Sequence, residues 1–210
     1  MSDLSVDYAG VRLANPVLLA SGTCNYGQEL LPLVDLSRLG GLVSKTITPL
    51  PRAGNPPPRV VETPAGMLNS IGLQNPGLED FARKKWPFLA SIGTRVVVNI
   101  AGDSPEEFAA MAVRLEELEG IAALEINISC PNLKQGGMLF GCQPTAAAEV
   151  IGAVRKVTHR PVIAKLTPNV TDVAEIARAV EGAGADGISL INTLVGMAID
   201  VDRRRPVLGN

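Results

Sequence analysis

The sequence predicts an α/β chain of the (β/α)8-barrel type, truncated after about six strands and opened by an N-terminal β-hairpin. Six short runs rich in valine, isoleucine and leucine recur, at 16–21, 41–46, 95–101, 123–129, 162–167 and 187–193. They are mostly continuous rather than alternating, as expected of parallel strands covered on both faces. Helical patterns fall between them, which sets the class as α/β. Polar and charged residues gather after the carboxyl ends of the runs: Ser21-Gly22, Lys45-Thr46, Asn99, 127–130, Lys165 and Asn192-Thr193. Chemistry supplied by many strand ends belongs to the top face of a barrel. No GxGxxG follows the first run, which argues against an open dinucleotide-binding sheet.

Each element has a local reason. Residues 4–13 alternate around Ala9-Gly10 and read as a hairpin closing the barrel's bottom. Phe108, Met111, Ala112, Leu115 and Leu118 share one helical face, announced by Ser104 as N-cap, Pro105 at the first turn and Glu107 completing a capping box. Pro144 opens the next helix, with Val150, Ile151, Val154 and Val157 facing inward. Thr171 is expected to cap another, carrying Val173, Ile176, Ala177 and Val180 before Gly182 and Gly184 stop it. Six strands fall short of eight, and a closed barrel takes about 250 residues. Residues 1–210 therefore read as one domain, the amino-terminal part of a barrel.

Composition narrows the partners. The net charge of −2 carries no basic block and excludes a nucleic-acid role. No apolar stretch is long enough to span a bilayer, and the start is polar. Three cysteines, an odd count, fit a reducing cytoplasm rather than a disulfide framework. One histidine and no close cysteine pair leave no metal or iron–sulfur spacing.

The segment 127–132, Asn-Ile-Ser-Cys-Pro-Asn, is the most informative. A cysteine at a strand end is more often a small buried apolar residue. Its two flanking asparagines favour a general base at Cys130, and Pro131 with Gly136-Gly137 describes a loop able to close and reopen. Cys24 and Cys142 lack such company and read as structural. Asn69, Asn127, Asn132 and Asn192 offer donors and acceptors that complement a cyclic urea or imide edge, although a single loop asparagine is usually a turn former. Lys45 and Lys165 close two buried-type runs and suit a cation beside the pyrimidine edge of a flavin. The stretch 48–75 is too long for an ordinary connection and holds six prolines, then the amides of 71–73, which suit a carboxylate. His159 and the arginines at 203–205 read as incidental.

Taken together, ASGT at 20–23, SKT at 44–46, NSIGLQNPG at 69–77, the cysteine loop 127–141, KLTPNVTD at 165–172 and GADGISLINTLVGM at 184–197 resemble dihydroorotate dehydrogenase, closest to the class 1 B-type catalytic subunit. The resemblance implies an FMN enzyme that oxidises (S)-dihydroorotate to orotate in pyrimidine synthesis, with Cys130 taking the proton from carbon 5. It implies that Ser21, Gly22, Lys45, Thr46, Asn99, Asn127, Lys165 and Ile191 line FMN. Lys45, Asn69, Ser70, Ile71, Gly72, Leu73, Asn127, Asn132, Asn192 and Thr193 would hold substrate. It implies electrons passed to NAD through a partner subunit carrying FAD and a 2Fe–2S cluster, in a heterotetramer built on a homodimer. Family members continue through two more strands whose loops bind the FMN phosphate, so this chain is expected to hold FMN weakly. A pyrimidine-reducing enzyme of the dihydropyrimidine dehydrogenase type, or a non-catalytic fragment, are the alternatives.

Overall fold

Ala9 and Gly10 both adopt positive φ, 54° and 80°, which gives a two-residue turn twisted to match the strands it joins. Val6–Tyr8 and Val11–Leu13 pair antiparallel across it, with Val6 opposite Leu13. The computed structural model describes residues 2–129, 131–132 and 138–208.

Six parallel strands follow in sequence order: β1 (Leu18–Leu19), β2 (Gly41–Val43), β3 (Arg95–Ile100), β4 (Ile121–Asn127), β5 (Val162–Lys165) and β6 (Gly187–Ser189). Each pairs with the next, and among the described residues β1 and β6 do not pair with each other. The sheet curls as six consecutive strands of a (β/α)8 barrel. All six expected runs are strands, several of them shorter than the apolar stretch that marked them. Among the described residues the α-helices of six residues or more are α1 (Trp86–Ser91), α2 (Pro105–Glu116), α3 (Pro144–Arg155) and α4 (Val173–Gly182).

Two apolar clusters explain why the runs are continuous. On the outer face, Val96, Val98, Leu124, Ile126, Val162 and Ala164 pack under α2, α3 and α4. On the inner face, Val43, Val97, Ala123 and Ile163 pack against Val11 and Leu13 of the hairpin. Successive strand residues point to opposite faces, so a strand buried on both shows no polar alternation. The hairpin sits at the amino ends of the strands. A Cβ added to Gly187, the first residue of β6, would come within 2.8 Å of Ala9 Cβ. Arg95, which opens β3, donates from Nε to Arg12 O at 3.3 Å. Above this plug the inward positions become polar: Asn99, Glu125, Asn127 and Lys165, all buried.

The caps follow the sequence with two shifts. Ser104 Oγ accepts from Glu107 N at 3.3 Å, but Glu107 Oε2 accepts from Asp103 N, one residue earlier than a standard capping box. The cap of α4 is Asp172 rather than Thr171: its Oδ1 accepts from Ala174 N at 2.8 Å. A carboxylate there also complements the helix dipole. Val157 lies beyond the end of α3 and is 37% exposed, so it does not face inward as expected. The stretch 48–75 contains a second hairpin, Val60–Thr63 against Gly66–Asn69, which the prolines concealed in the sequence. Among the described residues no helix is long and apolar enough to cross a membrane.

Tyr8 gives a pH prediction. Burial, and then the Glu125 carboxylate, push its hydroxyl up to about 12 from an ordinary value of 10. Between those values the folded chain holds a proton that the unfolded chain has released, so stability falls as pH rises from 10 towards 12. Below pH 10 the contribution is fully present. Urea midpoints measured across that window should drop with pH, and Tyr8→Phe should flatten the drop.

Candidate functional site

The sheet register assembles the site. Asn99 on β3 lies opposite Glu125 on β4, and Asn127 on β4 lies opposite Lys165 on β5, which in turn faces Ser189 on β6. These side chains alternate with outward-facing Ile100, Ile126 and Leu166, so the strand period itself aims them at the barrel interior. Asn99 is fully buried and donates from Nδ2 to Glu125 Oε1 at 2.5 Å. The same carboxylate oxygen lies 3.7 Å from Lys165 Nζ, with side-chain exposures of 10% for Lys165 and 4% for Glu125. Glu125 and Lys165 also line an open cavity of about 310 Å³, beside Tyr8, Leu18 and Val43.

Asn127 joins two strand ends. Its Oδ1 accepts from Asn192 Nδ2 at 3.0 Å and from Ser129 N at 3.2 Å. The second bond folds the chain over immediately before Cys130. Asn192 is fixed in turn by its backbone, which donates to Leu166 O at 2.9 Å. Thr193 is exposed, and its carbonyl accepts from Asn169 Nδ2 at 3.0 Å. Asn169 also accepts from Val195 N at 3.0 Å, so it shapes the chain beyond Asn192.

Ser21 and Thr46 bring their hydroxyls within 3.4 Å across the ends of β1 and β2. Gly22 follows at φ 85°, a left-handed turn that favours glycine. Lys45 is half-buried, its backbone N donating to Asn25 O at 2.9 Å. Ile191 is 48% exposed.

The 69–73 segment forms a separate layer. Asn69 ends the second hairpin and is exposed. Asn55 Nδ2 donates to Ser70 Oγ at 2.9 Å, and Asn55 N donates to Ile71 O at 3.0 Å. Gly72 and Leu73 both take positive φ, 71° and 53°. Among the described residues no hydrogen bond links this segment to Asn127, Lys165 or Asn192. Cys130, Gly136, Gly137 and the side chain of Asn132 lie outside the described residues.

Three residues with evident positioning roles had not been singled out in the sequence: Glu125, Asn169 and Asn75. Glu125 interrupts an apolar run, which is the one sequence signal that could have marked it. Asn75 lies within a motif already quoted, and its buried side chain closes the long loop onto Thr48.

Residues 3–210 match the family model for dihydroorotate dehydrogenase. The chain is 59% identical over 208 residues to the catalytic subunit of dihydroorotate dehydrogenase B (NAD(+)) from Desulforamulus reducens, covering 99% of this chain and 68% of that protein. It is 58% identical over 206 residues to the same subunit from Desulforudis audaxviator, covering 98% of this chain and 67% of the relative. For the subunit from Geotalea daltonii the identity is 54% over 208 residues, with 99% and 68% covered.

Proposed function

This chain belongs to the dihydroorotate dehydrogenase family, and from that premise we propose that it oxidises (S)-dihydroorotate to orotate as the catalytic part of a B-type enzyme. The observation that carries this reading is the buried polar set at the carboxyl ends of β3, β4 and β5. Buried polar groups are normally paired, yet Asn99 Oδ1 is buried without a partner. A ligand that reaches it has to offer a hydrogen-bond donor. The pyrimidine edge of FMN presents one such donor between two carbonyl acceptors, and Lys165 supplies a cation on the same face. The residues therefore fit an isoalloxazine ring.

When bound, FMN supplies the acceptor for the hydride that leaves substrate carbon 6. The protein's own groups do the rest. Cys130 removes the proton from carbon 5, so that a carbon–carbon double bond replaces the two lost hydrogens. Asn127, Asn132 and Asn192 read the amide edges of the substrate ring, and Asn69 holds it from the second hairpin. The backbone of 71–73, with Ser70 alongside, receives the substrate carboxylate. Lys45, Ser21, Gly22, Thr46, Ile191 and Thr193 complete the walls. The proposed assembly passes electrons to NAD through a separate subunit bearing FAD and a 2Fe–2S cluster, in a cytoplasmic heterotetramer built on a homodimer.

Reconstitution tests the reading. The purified chain, kept in the presence of FMN, is expected to bind it, and the bound flavin to bleach when dihydroorotate is added without oxygen. Flavin that is retained but not bleached by dihydroorotate, and whose reduced form regains its colour when uracil is added, would assign the pyrimidine-reducing chemistry instead. Protein that takes up no FMN would overturn the proposal for this chain.

A further inference from the structure

Glu125 is 3% exposed at the centre of the inner face, in a strand whose other buried residues are apolar until Asn127. Its Oε1 meets both Asn99 Nδ2, at 2.5 Å, and Lys165 Nζ, at 3.7 Å. An ionised carboxylate only accepts hydrogen bonds. The Asn99 amide is therefore bound to turn its NH2 towards Glu125 and its carbonyl away. That carbonyl is the buried acceptor left without a partner. One carboxyl oxygen thus fixes the orientation of an amide and faces the nearest cation. A buried ion pair adds little net stability against its desolvation, so stability alone does not account for this arrangement.

We propose that Glu125 is a positioning residue acting through Lys165 and Asn99: it holds the amide acceptor towards the cofactor and screens the ammonium, lowering the electron affinity of the flavin bound there. The inference rests on the FMN reading above. Reduction adds negative charge to the ring. An ammonium beside the ring favours that change, and a carboxylate on the ammonium weakens the preference. Asn99 and Lys165 are held by one oxygen, so their effects on the ring are coupled.

The test is a double-mutant cycle in the FMN-loaded chain, reading the ratio of affinities for reduced and oxidised FMN by redox titration against a reference dye. Glu125→Gln keeps an acceptor for Asn99 and removes the charge. It is expected to raise the ratio by about tenfold, ~30 mV for a two-electron couple. With Lys165→Met already in place, the same change is expected to move the ratio by less than about twofold, the margin within which independent effects add. If Glu125→Gln does not fold, Glu125→Asp replaces it in the cycle. It keeps the charge but withdraws it by a methylene, and a smaller rise that again depends on Lys165 supports the proposal. Equal weakening of both redox forms, or the same shift with and without Lys165, overturns it and leaves Glu125 a structural residue. Failure of the unmodified chain to bind FMN would instead overturn the flavin reading, and this inference with it.

Discussion

Replacing Cys130 by alanine is expected to slow the anaerobic bleaching of bound FMN by dihydroorotate about 10²- to 10⁴-fold, the usual range for losing a positioned general base. FMN content should not change, because the base acts on substrate. Cys130→Ser should fall between the two, with its rate still rising at high pH, since a hydroxyl gives up its proton far less readily than a thiol. Stopped-flow bleaching checks both. A rate for the alanine variant within about tenfold of the unmodified chain would assign the proton to another group.

Among the described residues, the chain is held on either side of the loop that carries Cys130. Before it, Ile128 N donates to Ile126 O at 3.1 Å, and Ser129 N donates to Asn127 Oδ1. After it, Gly141 N donates back to Ile128 O at 2.8 Å. Phe140 is 3% exposed and packs edge-on against Phe108 of α2, with ring centroids 6.1 Å apart. Both ends of the loop are therefore fixed to the same buried layer. Cys24 is buried and Cys142 half-buried, and burial pushes both thiols up, which keeps them protonated at neutral pH and poor as bases. Cys24→Ser and Cys142→Ser should leave bleaching unchanged.

What could be read in the sequence was local. The Ala9-Gly10 turn, the Ser104-Pro105 helix start and the six apolar runs each rest on interactions spanning a few residues, and the structure contains all of them. The cap of α4 shifted from Thr171 to its neighbour because both residue types cap helices, and only geometry decides which oxygen reaches an amide two positions on. The second hairpin was hidden by prolines that lie mostly before it, between Pro49 and Pro58, while its own turn at Pro64-Ala65 read as more loop. Glu125 was out of reach for another reason. Its partners come from β3, 26 residues earlier, and from β5, and only the sheet register brings them together. Local pattern located the strand ends, whereas the pairing of side chains across strands required the fold.

Asn75→Ala is expected to cost about 2–5 kcal/mol of stability, because it strands buried backbone donors at about 1–3 kcal/mol each. Asn75 Oδ1 accepts from Thr48 N at 3.1 Å and from Gly77 N at 2.8 Å. Its Nδ2 donates to Thr48 Oγ1 and to Leu73 O, both at 2.8 Å. The Thr48 hydroxyl spends its own proton on Leu50 O, 2.7 Å away, so it receives from Asn75 rather than donating to it. All four hydrogen-bonding positions of the amide are then filled. Its backbone meanwhile pairs both ways with Arg52, whose guanidinium is bound to Asp103 at 3.0 Å. The Asn75 side chain thus closes the long loop onto Thr48 beyond the end of β2, and Arg52 ties the same loop to Asp103 beyond β3. Urea unfolding should show a lower midpoint with an unchanged slope. The loss should also reach the substrate layer, because Leu73 is one of the groups released. Orotate should bind more weakly, tenfold for each 1.4 kcal/mol of added ordering cost, while the bleaching rate at saturating dihydroorotate is kept. Asn75→Asp separates the two effects. A carboxylate still accepts from Thr48 N and Gly77 N but has no proton for Leu73 O, so it should recover part of the stability at most and little of the orotate affinity. If affinity returned in step with stability, the amide's hold on Leu73 would have no part in placing the substrate loop.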